Sequence, residues 1–279
     1  MKGVVFGTGF LGKRLAEHLG YDATPRSKVD LLDARALEDF LESQSPDVVI
    51  NAAGRTGRPN IDWCETNRLE TFKSNVIAAM NLAAACSERG IYFVHLGSGC
   101  IYQGDNGGKG FSETDEPNFF GPQYYANTKI VAEKGLAQLP GEILQLRIRM
   151  PIDDRPHERN LIDKLAKYPQ VIDVQNSMTT VPHMLDAIKE LIAKEGTGIF
   201  NLVNPGTISA YEIMELYREI VDPSHEFQLM SLDALNRVTL GKRSNCYLNT
   251  DALKGERIEL PEIHAAVREC LSRYKTYSE

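Results

Sequence analysis

Tyr125 and Lys129 stand four residues apart in Tyr124-Tyr125-Ala126-Asn127-Thr128-Lys129. On a helix that spacing puts both side chains on one face, one turn apart. A lysine ammonium beside a phenol favours the phenolate and draws its pKa toward neutrality. Such a phenol suits the protonation of a carbonyl oxygen while hydride arrives at the carbon. Shortly before it, Leu96-Gly97-Ser98-Gly99-Cys100-Ile101-Tyr102 offers a hydroxyl at Ser98 and a thiol at Cys100. Tyr-x-x-x-Lys alone arises often by chance. Its weight depends on a nucleotide-binding N-terminus and on a strand that delivers Ser98.

The totals bound what those residues can serve. A chain of 279 residues holds one large or two modest domains with real cores. Hydrophobic residues at 42% and charged ones at 25% place it among soluble globular proteins. A net charge of −7 argues against nucleic acid or an anionic membrane as main partner, while leaving room for a nucleotide in a local basic pocket. The five cysteines, 64, 86, 100, 246 and 270, form no CxxC pair and no secreted framework, so a reducing, cytoplasmic setting is expected. No 18-residue apolar run suggests a membrane span. The first residues already read as a strand, which leaves no targeting peptide in the expectation. No metal-ligand spacing stands out, and a homodimer is one option for the assembly.

The N-terminus supplies the first requirement. Lys2 to Phe6 is apolar and enters Gly7-Thr8-Gly9-Phe10-Leu11-Gly12, followed by an amphipathic stretch from Lys13 to Leu19. Strand, glycine turn and helix in that order form a dinucleotide site. Gly7 permits the tight turn, Gly9 lets backbone approach a pyrophosphate, and Gly12 lets helix and strand pack closely; Thr8, Phe10 and Leu11 complete the turn. About twenty residues on, an acidic residue would hold a ribose 2′-hydroxyl. Here Arg26, Ser27 and Lys28 stand instead, which suits a 2′-phosphate and so NADP(H); the bland reading is a solvated loop. Asp30 and Leu31 fit the adenine edge, and Asp33 caps the next helix.

Asp47 to Ile50 reads as a buried third strand ending in Asn51-Ala52-Ala53-Gly54, whose small Ala52, Ala53 and Gly54 let a cofactor lie across it. The polar stretch Arg55 to Glu65 should face substrate through Arg55, Thr56, Arg58 and Asn60; Arg55 and Arg58 either pair with phosphate or stabilise the loop. A single long helix is expected over 66–88, with Asn75 either ordering the site or merely exposed. Ile91 to Leu96 forms the fourth strand and delivers Ser98 and Cys100; His95 reads as a satisfied strand histidine. Gly121-Pro122 opens the Tyr125 helix. Glu142 to Ile148 is the fifth strand, and Arg149, where the array closes, is counted with the cofactor residues. Beyond it come helices over 161–168 and 182–194, strands over 171–174 and 199–203, a capping box at Ser209-Ala210-Tyr211-Glu212 opening a helix to Val221, and a final helix over 262–274. His183 reads as a local contact.

With these pieces placed, the chain resembles, nearly end to end, an extended short-chain dehydrogenase/reductase acting on a nucleotide sugar. Within that group it is similar to the bifunctional 3,5-epimerase/4-reductases that complete UDP- or dTDP-L-rhamnose synthesis. The resemblance is carried by 54–65, Gly99-Cys100-Ile101-Tyr102, 117–121, Arg147-Ile148-Arg149-Met150-Pro151-Ile152, 169–179, Asn204-Pro205-Gly206 and Arg243-Ser244-Asn245. Its one departure is the turn, which is GxGxxG where many extended members carry GxxGxxG. It implies an α/β fold: a Rossmann-type doubly wound parallel sheet with a smaller C-terminal substrate-binding region. The nucleotide domain would comprise 1–150 and 176–204, and the substrate region 151–175 and 205–279.

The resemblance also implies roles. Ser98 would hydrogen-bond the C4 carbonyl, Tyr125 would protonate it, and Lys129 would tune Tyr125 and hold the nicotinamide ribose. Cys100 and Lys164 would act as the acid and base that invert C3 and C5, whose protons the C4 ketone acidifies. Asn160, Asn176, Ser177 and Arg243 would meet the substrate, the last three at its diphosphate or base. Against these stand plainer readings: Cys100 as a small buried hydrophobe, Lys164 as a solvated helix lysine, and Cys64, Cys86, Cys246 and Cys270 as structural. Three alternatives follow: a 4-keto reductase only, a GDP-L-fucose synthase-like enzyme, or a non-catalytic NADP-binding sensor.

Overall fold

The computed structural model describes residues 1–278. Its elements run β1 (Gly3–Phe6), α1 (Phe10–Leu19), β2 (Asp22–Thr24), α2 (Ala34–Gln44), β3 (Val48–Asn51), α3 (Trp63–Thr66), α4 (Arg68–Phe72), a π-helical turn (Lys73–Ile77), α5 (Ala78–Ser87), β4 (Tyr92–Ser98), α6 (Tyr124–Leu136) and β5 (Ile143–Ile148). They continue with α7 (Leu161–Leu165), β6 (Gln170–Ile172), α8 (Val181–Ala193), β7 (Gly198–Asn201), α9 (Ala210–Ile220), β8 (Gln228–Met230), α10 (Leu232–Val238), α11 (Asp251–Gly255) and α12 (Ile263–Ser278). Among the described residues no helix is long and apolar enough to cross a membrane, and no group of three or more His, Cys, Asp or Glu is arranged to hold a metal.

Two compact units divide these elements: residues 1–101, 119–147 and 189–200 in the first, 102–118, 148–188 and 201–279 in the second. The first is built on a six-stranded sheet of order β2-β1-β3-β4-β5-β7. Parallel register sets Val4 against Val49 and Ile50 against Val94, and every residue of β1 and β3 is buried. Strands buried on both faces need continuous apolar runs, which Gly3–Phe6 and Val48–Ile50 provide. Val4, Phe6, Leu37, Leu41, Val49, Leu82, Phe93 and Leu136 join in one core under α2, α5 and α6. Asp33 caps α2 by accepting from the Ala36 amide, as its position before the helix predicts.

The second unit has its own core, with Ile152, Ile162, Val171, Ile213, Met214, Val267 and Leu271 packed together. Its small sheet pairs β6 with β8 in parallel. The capping box at Ser209 and Glu212 forms in full and opens α9.

The compact units divide differently from the expected domains at 102–118, 148–150, 176–188 and 201–204. Segment 102–118 groups with the second unit, because Gly104 and Phe111 donate their amides to the carbonyls of Asn245 and Tyr247. The stretch 148–150 and residues 176–188 also belong there, with Ile152 bridged to Thr180 and the Arg149 amide donating to Thr179 Oγ1. The single helix expected over 66–88 is interrupted instead. Asn67 leaves helical geometry and its Nδ2 donates to the Trp63 carbonyl, a local bond that competes with the helix ladder.

Candidate active site

All of the site residues described first lie within the first unit. The glycine turn behaves as its sequence demands. Gly7 has φ +102°, and a Cβ there would meet the Ala53 amide at 2.7 Å. A Cβ on Gly12 would sit 1.8 Å from the Gly7 carbonyl oxygen, so α1 packs on the turn only with glycine. Gly9 caps α1 with no side-chain bond, and a Cβ there would point into open space. A helix start directly behind such a turn, with room beside Gly9, suits a pyrophosphate, which the helix dipole also favours.

Beside the turn is a cleft lined by Phe6, Gly7, Thr24, Arg26, Asp30, Leu31, Ala53, Glu70, Lys73 and Ser74, among others. Its apolar floor and charged rim fit an adenosine moiety. Arg26 reaches the rim paired with Asp30 at 2.9 Å, and Asp30 also accepts from the Leu32 amide. Those two contacts hold its carboxyl below the usual range. Ser27 is exposed and does not line the cleft, while Lys28 turns over the Phe40 ring. Glu70, Lys73 and Ser74 were not read as cleft residues from the sequence. They reach it because α4 and the π turn break what looks like one continuous helix.

At the end of β4, Ser98 is buried and its Oγ accepts from the Cys100 amide at 3.1 Å. The Ser98 side chain lies near enough to the Tyr125 phenol to lower its pKa, and the Cys100 and Cys64 thiols both act on it electrostatically. Lys129, one turn on, is buried and its Nζ donates to the Leu96 carbonyl at 3.0 Å. Burial draws Lys129 down to about 8, against the opposing charge of Glu133. Tyr125 departs from expectation. Burial raises its pKa and Cys100 adds to that; the nearby Ser98 hydroxyl works the other way. In the protein alone Lys129 spends its bond on Leu96 and does not bring the phenol toward neutrality.

Asn75 proves to order the site. Its side chain is 2% exposed. Oδ1 accepts from the Arg55 amide at 2.6 Å, and Nδ2 donates to the Arg55 carbonyl and to Thr128 Oγ1. The π turn that carries it therefore ties the loop after β3 to α6, between Tyr125 and Lys129. π turns recur at functional sites for this kind of re-aiming. The start of α6 is set from afar as well: the helix begins at Tyr124 rather than at Gly121-Pro122, and the Tyr124 amide donates to Glu65 Oε1 at 2.7 Å. His95 is buried against Asn51 Nδ2, and burial pushes its pKa down, so it is the satisfied strand histidine expected.

Of the residues expected to meet substrate, Arg55 pairs with Glu70 at 2.5 Å and stacks over Trp63, so it stabilises its loop. Thr56 and Arg58 are exposed, and Asn60 turns its Oδ1 to the Asp62 amide. In the second unit four expectations change role. Asn160 is fully buried, caps α7 and donates to the carbonyls of Asp153 and Arg155. Arg149, counted with the cofactor residues, is 1% exposed, and its guanidinium donates to Ser177 O, Ser244 O and Oγ, Cys246 Sγ and Asn176 Oδ1. Asn176 and Ser177 are buried within that same network, with Ser177 Oγ accepting from the Leu248 amide. These side chains build the unit's interior, because buried polar groups must be satisfied internally. Arg243 is half-buried and donates to the Gly241 carbonyl. Lys164 lies on α7, and its pKa is lowered by burial and by Arg159.

Comparison with known proteins adds to this geometry. A bifunctional dTDP-4-dehydrorhamnose 3,5-epimerase/dTDP-4-dehydrorhamnose reductase of Arabidopsis thaliana is 40% identical over 261 residues, covering 91% of this chain and 85% of that protein. A trifunctional UDP-glucose 4,6-dehydratase/UDP-4-keto-6-deoxy-D-glucose 3,5-epimerase/UDP-4-keto-L-rhamnose-reductase of the same plant is 35% identical over 98% of this chain, which spans only 41% of that longer protein. The crystal structure of the L780 UDP-rhamnose synthase from Acanthamoeba polyphaga mimivirus matches with a TM-score of 0.89 at 32% identity, over 98% of this chain and 99% of that one. The family model described as the RmlD substrate binding domain matches residues 1–276, and the chain belongs to that family.

Proposed function

We propose that this protein is an NADPH-dependent nucleotide-sugar enzyme that reduces the C4 ketone of a UDP- or dTDP-linked 4-keto-6-deoxyhexose, and that it also epimerises C3 and C5 to give the L-rhamnose nucleotide. One observation carries the reading: Ser98 Oγ accepts from the Cys100 amide at 3.1 Å, and the Ser98 hydroxyl and the Cys100 thiol both act on the buried Tyr125 phenol, so two hydroxyls and a thiol are neighbours at the end of β4.

NADPH, when bound, supplies the hydride to C4. The α1 amides and the rim at Arg26 would hold its phosphates, and Lys129 its nicotinamide ribose. Ser98 orients the ketone oxygen, and Tyr125 gives that oxygen its proton. A phenol with a raised pKa stays protonated at neutral pH, which is the form a proton donor needs. In this reading Cys100 exchanges a proton at a carbon beside the ketone, which polarisation of the C4 carbonyl by Ser98 and Tyr125 acidifies. Lys164 enters as the partner acid through family resemblance and through the burial that eases its proton loss.

The test incubates the protein with NADPH and either UDP- or dTDP-4-keto-6-deoxyglucose and determines product stereochemistry. L-rhamnose nucleotide is expected; only 6-deoxy-D-hexose products would remove the epimerase half. Cys100→Ser should lose deuterium incorporation at C3 and C5 in D₂O while a pre-epimerised ketone is still reduced.

A further inference from the structure

The catalytic face of α6 carries one more ionisable side chain. Glu133 lies one turn beyond Lys129, is 6% exposed, and accepts from Arg147 Nε and Nη2 at 2.8 Å each. Gln145 Nε2 donates to the Glu133 carbonyl at 3.3 Å, which anchors the backbone at the same point. Neither Glu133 nor Arg147 has a part in the chemistry above. Stability is a weak reason for the pair, because desolvating two ions commonly offsets their attraction. Lys129 itself is in an awkward position. It is an ammonium with three donors, buried at 7% exposure, and it spends one donor on Leu96. The ionisable groups around it are Tyr125 and Glu133 on α6, His95 on β4 and Cys100 beyond it, with Arg147 of β5 behind Glu133. Glu133 is the carboxylate of that set, and residues i and i+4 on a helix are near neighbours.

We propose that Glu133, locked in place by Arg147, is a positioning residue: the buried counter-charge that keeps Lys129 an ammonium during reduction. Arg147 fixes the carboxylate so that it cannot swing into the site and occupy the Lys129 ammonium by direct contact, which leaves its remaining donors for a ribose. The role assigned to Lys129 rests on the reductase reading; the electrostatic claim about Glu133 does not. Burial alone lowers Lys129, and Glu133 opposes it.

The experiment is a ¹³C-lysine NMR titration of the full chain, with the Lys129 resonance assigned by its loss in Lys129→Met. Glu133→Gln should lower the proton affinity of Lys129 roughly tenfold or more, since the facing charge becomes that of Arg147 alone. The double variant Glu133→Gln/Arg147→Met, which strands no cation and so keeps the test open if the single variant fails to fold, should fall by less. Glu133→Asp should stay within about threefold of the parent, because the charge remains. An unchanged midpoint in the folded Glu133→Gln or double variant overturns the proposal. Turnover with NADPH is followed in parallel, and its alkaline limb should move with the midpoint. A midpoint that moves while turnover does not leaves Glu133 assigned and removes the reductase role of Lys129.

Discussion

Arg147 and Arg149 are two residues apart on the chain, and both guanidinium groups are buried, at 2% and 1% exposure. In the first unit Arg147 meets the Glu133 carboxylate in a two-pronged ion pair. In the second unit Arg149 gathers neutral acceptors from Asn176, Ser177, Ser244 and Cys246. The difference teaches what each network is for. A charge pair beside a buried lysine projects a field onto a neighbour whose protonation matters. A cation solvated by carbonyls and amides cross-links segments far apart in sequence, and its job ends with holding them.

Substitutions in the two networks should therefore fail in different ways. The largest effect belongs to Tyr125→Phe, which should lower ketone reduction by about 10²–10⁴-fold. Cofactor affinity, measured by fluorescence titration, should remain within about twofold, and a matching loss of binding would break the contrast. Arg149→Met should cost about 3–5 kcal/mol in thermal or urea unfolding, because it leaves several buried acceptors unpaired. What remains folded should keep the Lys129 titration midpoint of the parent. Arg26→Ala should weaken NADPH relative to NADH by roughly tenfold, the worth of one charge-assisted phosphate contact. The smallest effect concerns His264, bracketed by Glu262 at 2.9 Å and Glu212 at 3.6 Å. Burial lowers its pKa, but the two carboxylates outweigh that and the net shift is upward. A raised folded pKa means stability present below the unfolded value near about 6.5 and lost as pH rises through the folded one. With its side chain 43% exposed, screening holds the effect under about 0.5 kcal/mol, read as a flatter stability profile between pH 6 and 8 in His264→Gln.

The parts of the site that were legible in the sequence are those with local causes. Gly7, Gly9 and Gly12 act within one turn, Tyr125 and Lys129 within one helix, and Asp33 and Ser209 within one cap. The break at Asn67 and the π turn at Asn75 were not legible, because the partner of Asn75 is the Arg55 backbone, twenty residues away. Arg149 was counted with the cofactor, and Asn160, Asn176 and Ser177 with the substrate through the family resemblance; neither ground reveals burial, which depends on partners distant in sequence. Glu133 carried no signal beyond its spacing from Lys129, since the partner that gives it meaning comes from β5.

The Glu65 carboxylate on the Tyr124 amide has a mechanical consequence. The first turn of a helix is where fraying begins, and Tyr125 sits in that turn. A tether from α3 makes the two segments open as one unit. Amide exchange at Tyr124 should thus follow the opening of Trp63–Thr66 rather than of the α6 interior, so the rigidity of the phenol is borrowed from residues sixty positions earlier in the chain.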